Sequence, residues 1–104
     1  MAQHISIQRI SEQEKVLSEC DVNVAEIINA LWQIHNFKEE YPWLSTIDPY
    51  GNTYINQPQK QHFLSELTKL ALAVEESEIT ETINGFRLFL SETEVHQYIK
   101  LIGD

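Results

Sequence analysis

The feature that most constrains the fold of this 104-residue chain is a run of turn-forming residues near its middle, Thr46–Gln59. This run holds two of the chain's three prolines and one of its three glycines. Asp48-Pro49-Tyr50-Gly51 predicts a turn, because proline presets φ near about −65°, aspartate can accept a backbone hydrogen bond, and glycine tolerates positive φ. The run therefore separates an N-terminal half with mixed signals from a C-terminal half with clear helical periodicity.

The residues after this turn predict a short strand and then two helices. Asn52–Ile55 is rich in β-favouring residues, and Asn56 can cap a helix whose first turn tolerates Pro58. An apolar stripe then predicts a helix over about residues 57–75, with Gln61, Glu66 and Lys69 mostly away from the core. The stripe consists of Phe63, Leu64, Leu67, Leu70, Ala71 and Val74.

A second C-terminal helix is predicted over about residues 78–90, with Ser77 as its cap. The short connection makes the two helices antiparallel neighbours, and close packing would explain Gly85 within the second one. The final segment, 95–102, has β-branched and aromatic residues that favour a strand over His96–Ile102, although a final helix is the alternative.

The N-terminal half has weaker patterns. His4–Ile10 alternates and predicts a strand, either at a sheet edge or beside the C-terminal strand. The acidic segment 11–21 fits a loop or a short helix. Asn23, with Glu26 three residues later, predicts the start of a helix over about residues 24–36. An aromatic loop follows, Tyr41-Pro42-Trp43-Leu44, which either packs over the core or exposes Trp43 to a partner.

Together these elements predict a single α+β domain spanning residues 1–104, in which about three helices pack on a small sheet. The alternative is an all-α fold in which the last segment is helical.

The charge balance limits the possible partners. Seven basic and sixteen acidic residues give a net charge of −9. Nucleic acids and anionic membrane surfaces are disfavoured, whereas a basic partner would be attracted by electrostatic steering. Plain solubility is the alternative explanation. A single cysteine, Cys20, the absence of a signal peptide and the absence of a long apolar run predict a cytoplasmic protein that does not span a membrane.

No phosphate-binding loop, dinucleotide fingerprint or paired-cysteine motif occurs in the sequence. The four histidines are dispersed, so neither a metal nor a cofactor is predicted. One enzyme hypothesis remains, in which Asp48, Tyr50 and His62 share a pocket. A third possibility is a structural or regulatory subunit that forms homodimers through the aromatic loop.

Two segments concentrate the negative charge. Residues 75–94 contain six glutamates and one arginine, a net charge of −5, and residues 11–26 contain five acidic residues and one lysine, a net charge of −4. Glu78 and Glu81 also suit the positive N-terminal end of their helix. If the two segments meet in space, they would attract a cationic protein surface.

The central turn also carries a family resemblance. Ile47-Asp48-Pro49-Tyr50-Gly51-Asn52-Thr53, followed by Asn56 and Gln59 and by a C-terminal Tyr98–Asp104 segment ending in Gly-Asp, resembles a pattern in small acidic bacterial proteins. The similarity runs from Tyr41 onward, and Pro58 is its one departure in detail. These proteins are similar to the immunity proteins encoded beside secreted toxins.

The resemblance implies an immunity protein that binds and neutralises a cognate toxin, such as a basic nuclease domain. It brings no established functional residues with it. The candidate partner-binding residues therefore come from charge and exposed aromatic character: Glu39, Glu40, Trp43, Asp48, Tyr50, Glu75, Glu76, Glu78 and Glu81.

Overall fold

A computed structural model describes residues 2–104 of the protein. Within that range the chain forms a four-stranded antiparallel sheet with the strand order β2-β1-β4-β3. The strands are β1 (Ile5–Ser11), β2 (Val16–Cys20), β3 (Asn52–Ile55) and β4 (Gln97–Gly103). The helices are α1 (Val24–Leu31), α2 (Phe37–Glu40), α3 (Gln57–Ala73) and α4 (Ser77–Ser91), with a 3₁₀ turn at Leu44–Thr46. The α+β prediction is confirmed and the all-α alternative is wrong.

One face of the sheet forms the core with the helices. Ile7 lies opposite Leu101, and Ile55 lies opposite Ile99, so these buried side chains share that face. They pack in one cluster with buried residues of α1, α3 and α4, which include Leu31, Phe63, Leu67, Phe86 and Leu90. Burial of these side chains is the main force that holds the helices on the sheet.

The segment 11–21 corrects the prediction of a loop or short helix, because it contains β2. This strand pairs with β1 through a hairpin turn in which the Ser11 carbonyl accepts a hydrogen bond from the Glu14 N–H group at 2.9 Å. Val16 and Leu17 are exposed and adjacent, so β2 lacks the alternation that identifies a half-buried strand. Strand β1 lies between β2 and β4, so its predicted position beside the C-terminal strand is confirmed and the alternative position at a sheet edge is wrong.

Helix α1 is shorter than the predicted range of about 24–36. It ends at Leu31, where the N–H groups of Gln33 and Ile34 bond three residues back in the 3₁₀ manner. Asn36 then takes a left-handed conformation with φ of 58°, and α2 starts after it. The predicted Asn23 cap is confirmed: its Oδ1 atom accepts hydrogen bonds from the N–H groups of Ala25 and Ile5.

The start of α3 follows its local sequence. The Asn56 side chain accepts from the Gln59 N–H group at 3.0 Å, and the Gln59 side chain accepts from the Asn56 N–H group at 3.1 Å. This capping box satisfies two amide groups that the helix itself cannot bond. Helix α4 starts at Ser77, so Ser77 is its first helical residue rather than the predicted cap.

Helices α3 and α4 pack against each other across a three-residue connection, as predicted. Gly85 of α4 also has the predicted packing role, because a Cβ atom there would lie 2.6 Å from Cγ2 of Val22.

Two cations from other elements stabilise the C-terminal end of α4. Arg9 Nη2 donates to the Phe89 carbonyl at 2.8 Å, and the buried Lys60 Nζ donates to the Thr93 carbonyl at 2.9 Å. Positive charge is favourable at this end of a helix, where carbonyl groups lack helical partners. Arg9 and Lys60 are thus used within the fold. Over residues 2–104, none of the helices combines the length and the apolar character needed to cross a bilayer.

Candidate functional site

An acidic surface lies where α1 packs against α4. It comprises two adjoining grooves of about 640 and 430 Å³, which share Glu26 and Glu78 in their walls. Six carboxylates line them: Asp21, Glu26, Glu75, Glu76, Glu78 and Glu81. We call this surface the acidic groove. It brings together carboxylates from the two acidic segments, which are about fifty residues apart in the sequence.

The topology explains this meeting. Residues 21–26 of the α1 region face residues 78–82 of α4, whereas residues 29–34 face residues 73–79. The two helices are therefore antiparallel here. Gly85 lies at this contact, where an added Cβ atom would come within 2.6 Å of Cγ2 of Val22 and the Val22 side chain would have to move. A hydrogen bond from Thr82 Oγ1 to Glu26 Oε2 at 2.8 Å joins the two walls.

The charged residues that line the acidic groove are all negative. All six carboxylate side chains are exposed, and none of the lysines, arginines or histidines described in residues 2–104 is among the lining residues. Like charges along a concave surface concentrate the negative potential and attract cations. Glu26 and Glu78 lie in the first turns of their helices, where the helix dipole favours them. Glu81 lies beyond the first turn, so the dipole does not account for it.

The larger half of the acidic groove has an apolar floor. Ile34, Val74 and Ile79 are half-buried there and pack against the core, and Ala30 and Ala73 complete the floor. The smaller half, beside Asp21 and Glu81, is lined by polar or charged residues except for Val22. The surface can therefore accept apolar atoms at one end and cationic groups along its length.

Of the nine predicted partner-binding residues, four line the acidic groove: Glu75, Glu76, Glu78 and Glu81. The other five lie elsewhere. Glu40 forms an ion pair with Lys69 at 2.6 Å, and this hydrogen bond and charge lower the pKa of the Glu40 carboxyl below its usual value. Glu39 is exposed beside it on α2. Both belong to a surface next to the aromatic loop.

Trp43 is half-buried and contributes to packing. Its ring stacks on His62 with centroids 4.4 Å apart, and it meets Phe63 edge-on at 6.0 Å. Tyr41 and Leu44 of the same loop are buried, which confirms the prediction that the aromatic loop packs over the core.

The aromatic loop is held by a carboxylate that the sequence analysis placed away from the core. Glu66 is only 8% exposed, and its oxygens accept hydrogen bonds from the backbone N–H groups of Trp43 and Leu44 at 2.9–3.1 Å. The charge of the carboxylate offsets part of the cost of burying it by strengthening these bonds. Its position on α3, three residues after Phe63, was the available signal for partial burial.

Asp48 has a structural role in the central turn. Its Oδ1 atom accepts from the Tyr50 N–H group, and its own N–H group donates to Thr53 Oγ1, both at 2.9 Å. Gly51 does not adopt the positive φ that the turn pattern suggested. Its lack of a side chain instead leaves room for the Asp48 carboxylate, which a Cβ atom would approach to 2.6 Å.

The turn also contacts the end of β4. The Gly103 N–H group donates to the Gly51 carbonyl at 2.8 Å, and a Cβ atom on Gly103 would overlap the Pro49 carbonyl. The two parts of the sequence pattern that resembles the bacterial proteins thus form one packed unit. These contacts explain Asp48, Gly51 and Gly103 without a ligand. Tyr50 is 65% exposed, and none of these contacts engages its side chain.

The three side chains of the enzyme hypothesis are engaged in different contacts. Asp48 closes its own turn, His62 stacks on Trp43, and Tyr50 points to solvent. None of them lines the acidic groove. Within residues 2–104, no three histidine, cysteine or acidic side chains are grouped so that they could hold a metal ion.

Comparison of the chain with protein-family models, with curated protein sequences and with solved structures gave no match.

Proposed function

We propose that this protein is a cytoplasmic immunity-type inhibitor, which binds a basic toxin domain through the acidic groove and neutralises it. The observation that carries the proposal is the gathering of six carboxylates from two distant segments on one concave surface with no basic residue in its lining. Such a surface accelerates association with a cationic protein and favours it over neutral competitors.

The distribution of charge favours binding over solubility alone. Solubility requires net charge, and dispersed carboxylates would supply it at the least cost in repulsion. Here Glu75, Glu76 and Glu78 lie within four residues and face Glu26 across the same groove. A bound cationic surface would relieve the repulsion among them, so the free energy of binding includes that relief.

The toxin class comes from the resemblance of the Ile47–Thr53 pattern to immunity-like bacterial proteins. A nuclease domain fits the charge argument, because an enzyme that binds nucleic acid has a basic surface complementary to its phosphates. A protein that covers that surface with carboxylates would exclude the nucleic acid. The alternative enzyme and homodimer hypotheses gain no comparable support from the contacts of their residues.

The direct test is capture of the protein encoded immediately upstream by the tagged chain, measured from low to high salt. We expect tight capture that weakens as salt rises, since exposed charges are screened. The quadruple variant E75Q/E76Q/E78Q/E81Q should lose most of the capture. The matched control E19Q/E92Q/E94Q/D104N also removes four negative charges, but from exposed positions outside the groove. This control should retain the capture.

Equal loss of capture in the two variants would mean that net charge alone is responsible and that the acidic groove is not the binding surface. Capture of nothing at low salt would contradict the proposal as a whole.

A further inference from the structure

We propose that the acidic groove recognises a particular kind of segment, one large apolar side chain followed closely by lysines or arginines. This inference rests on the proposed function and specifies the part of the partner that the groove holds. Its basis is a difference in residue type: three half-buried branched aliphatic side chains line one half of the groove, whereas Val22 is the one aliphatic residue that lines the other half.

The apolar half can take an anchoring side chain. Its floor is formed by Ile34 on the α1 side and by Val74 and Ile79 on the α3–α4 side, and the volume of this half is about 640 Å³. All three are half-buried and already pack against the core, so the floor is fixed before a partner arrives. A preformed apolar surface of this kind favours an aliphatic or aromatic anchor, because burial of the anchor displaces water without reordering the protein.

The carboxylates place the cationic groups relative to that anchor. Glu75, Glu76 and Glu78 border the apolar half, whereas Glu81 borders the other half together with Asp21. Glu78 and Glu81 both lie in α4, three residues apart, which corresponds to about 4.5 Å along the helix axis. The partner's positive charges must therefore lie close to its anchor, because carboxylates border the apolar half itself.

This arrangement distinguishes the occupant from other cationic molecules. A run of lysines without an apolar residue would meet the carboxylates but leave the floor of Ile34, Val74 and Ile79 in contact with water. An apolar segment without positive charge would leave the carboxylates unpaired beside it, which is costly when they lose water. A segment with both features satisfies both halves of the groove at once.

The test uses two twelve-residue peptides of glycine and serine, each with four lysines. One also carries a tryptophan beside the lysines, and the other has serine in its place. We expect the tryptophan peptide to bind the full chain at least ten times more tightly at low salt, measured by calorimetry. Backbone amide NMR signals of Ile34, Val74 and Ile79 should shift on its addition.

Two variants locate the anchor. Ala73→Phe fills the floor from an exposed position that a folded chain tolerates, and it should abolish the advantage of the tryptophan peptide. Leu88→Phe adds an aromatic ring at another exposed helical position, 61% exposed and outside the groove, and should leave that advantage intact.

The outcomes separate this inference from the proposed function. Equal binding of the two peptides would overturn the anchor and leave the acidic groove as a binder of positive charge. An advantage for tryptophan that Ala73→Phe does not reduce would place the anchor elsewhere and also overturn the inference. Absence of binding by both peptides at low salt would contradict the acidic groove as a cation-binding surface and the proposed function with it.

Discussion

Two regions of the molecule use carboxylates in opposite ways. Beside the aromatic loop, Glu66 is buried and accepts hydrogen bonds from two backbone N–H groups, and Glu40 pairs with Lys69. In the acidic groove, by contrast, the carboxylates are exposed, and the one described hydrogen bond to them comes from Thr82 to Glu26. The first group stabilises the fold, whereas the second leaves its hydrogen-bonding capacity open to a partner.

This difference in internal partners, which charge alone does not reveal, separates the two groups of carboxylates. Glu40 and Glu81 are both acidic and both were predicted to bind a partner. Only Glu81 lacks an internal ion pair among the described contacts of residues 2–104. Substitutions in the two regions should therefore have opposite effects, with stability changing in the first and binding changing in the second.

The largest effect on stability is expected from Glu66→Ala. The change leaves the N–H groups of Trp43 and Leu44 without their acceptor in a mostly buried site, at a cost of about 3 kcal/mol in the free energy of unfolding. Urea unfolding measures it, with Glu81→Ala as the control within about 0.5 kcal/mol of the parent. If Glu66→Ala unfolds at the same urea concentration as the parent, the carboxylates beside the aromatic loop do not differ from those of the acidic groove in their effect on stability.

Gly103→Ala should follow, with a loss of about 2 kcal/mol, because its Cβ atom would overlap the backbone of Pro49. Gly85→Ala is the informative comparison. There the neighbour is the tip of the Val22 side chain, which can move, and alanine favours a helix over glycine by about 1 kcal/mol. If Gly85→Ala loses as much stability as Gly103→Ala, the contact between the central turn and β4 is no more sensitive to an added methyl group than the contact between α4 and Val22.

The parts of the fold that the sequence predicted are those with local causes. The capping box of Asn56 and Gln59, the apolar stripe of α3 and the β-rich C-terminal strand all depend on residues within a few positions of one another. Strand β2 was missed because an exposed edge strand has no buried face to create alternation. Helix α1 was overextended because its end depends on the left-handed Asn36 and not on a break in the pattern.

The site depended on contacts that no local pattern contains. Four of its glutamates were predicted from charge alone, but their meeting with Asp21 and Glu26 depends on how α1 packs on α4. Glu66 was placed away from the core because the backbone N–H groups that donate to its carboxylate lie in a loop 22 or 23 residues earlier. In each case the side chain's role is set by a distant segment that the sequence does not identify.

A smaller effect on stability is expected when the acidic groove is neutralised. In E75Q/E76Q/E78Q/E81Q the loss of repulsion opposes the loss of favourable helix-dipole interactions at the start of α4, so the free energy of unfolding should change by less than about 1 kcal/mol. The variant should gain less stability from added salt than the parent, because fewer like charges remain to be screened. Thermal unfolding at low and high salt measures both quantities. A loss of unfolding free energy as large as that of Glu66→Ala would mean that the carboxylates of the acidic groove stabilise the fold.

The smallest effect concerns pH and the Glu40–Lys69 pair. Since Lys69 lowers the pKa of Glu40, the contribution of this carboxylate to stability is complete above its unfolded value of 4.5 and is lost as pH falls through the lower folded value. Burial raises the pKa of Tyr41, and Glu40 raises that of Lys69, so their contributions are complete below 10.0 and 10.5 and are lost as pH rises above those values.

Lys69→Met isolates this pair, since it keeps a chain of similar length near Tyr41 and removes the positive charge. The Glu40 carboxyl, followed by NMR, should then titrate at a higher pH than in the parent, and the fall in melting temperature from pH 7 to pH 3 should become smaller. Glu78→Gln, within the acidic groove, should leave the Glu40 titration unchanged, because Lys69 is not among the residues that line the groove. An altered Glu40 titration in Glu78→Gln would mean that the two carboxylate regions are electrostatically coupled. Stability and binding could then no longer be assigned to the two regions separately.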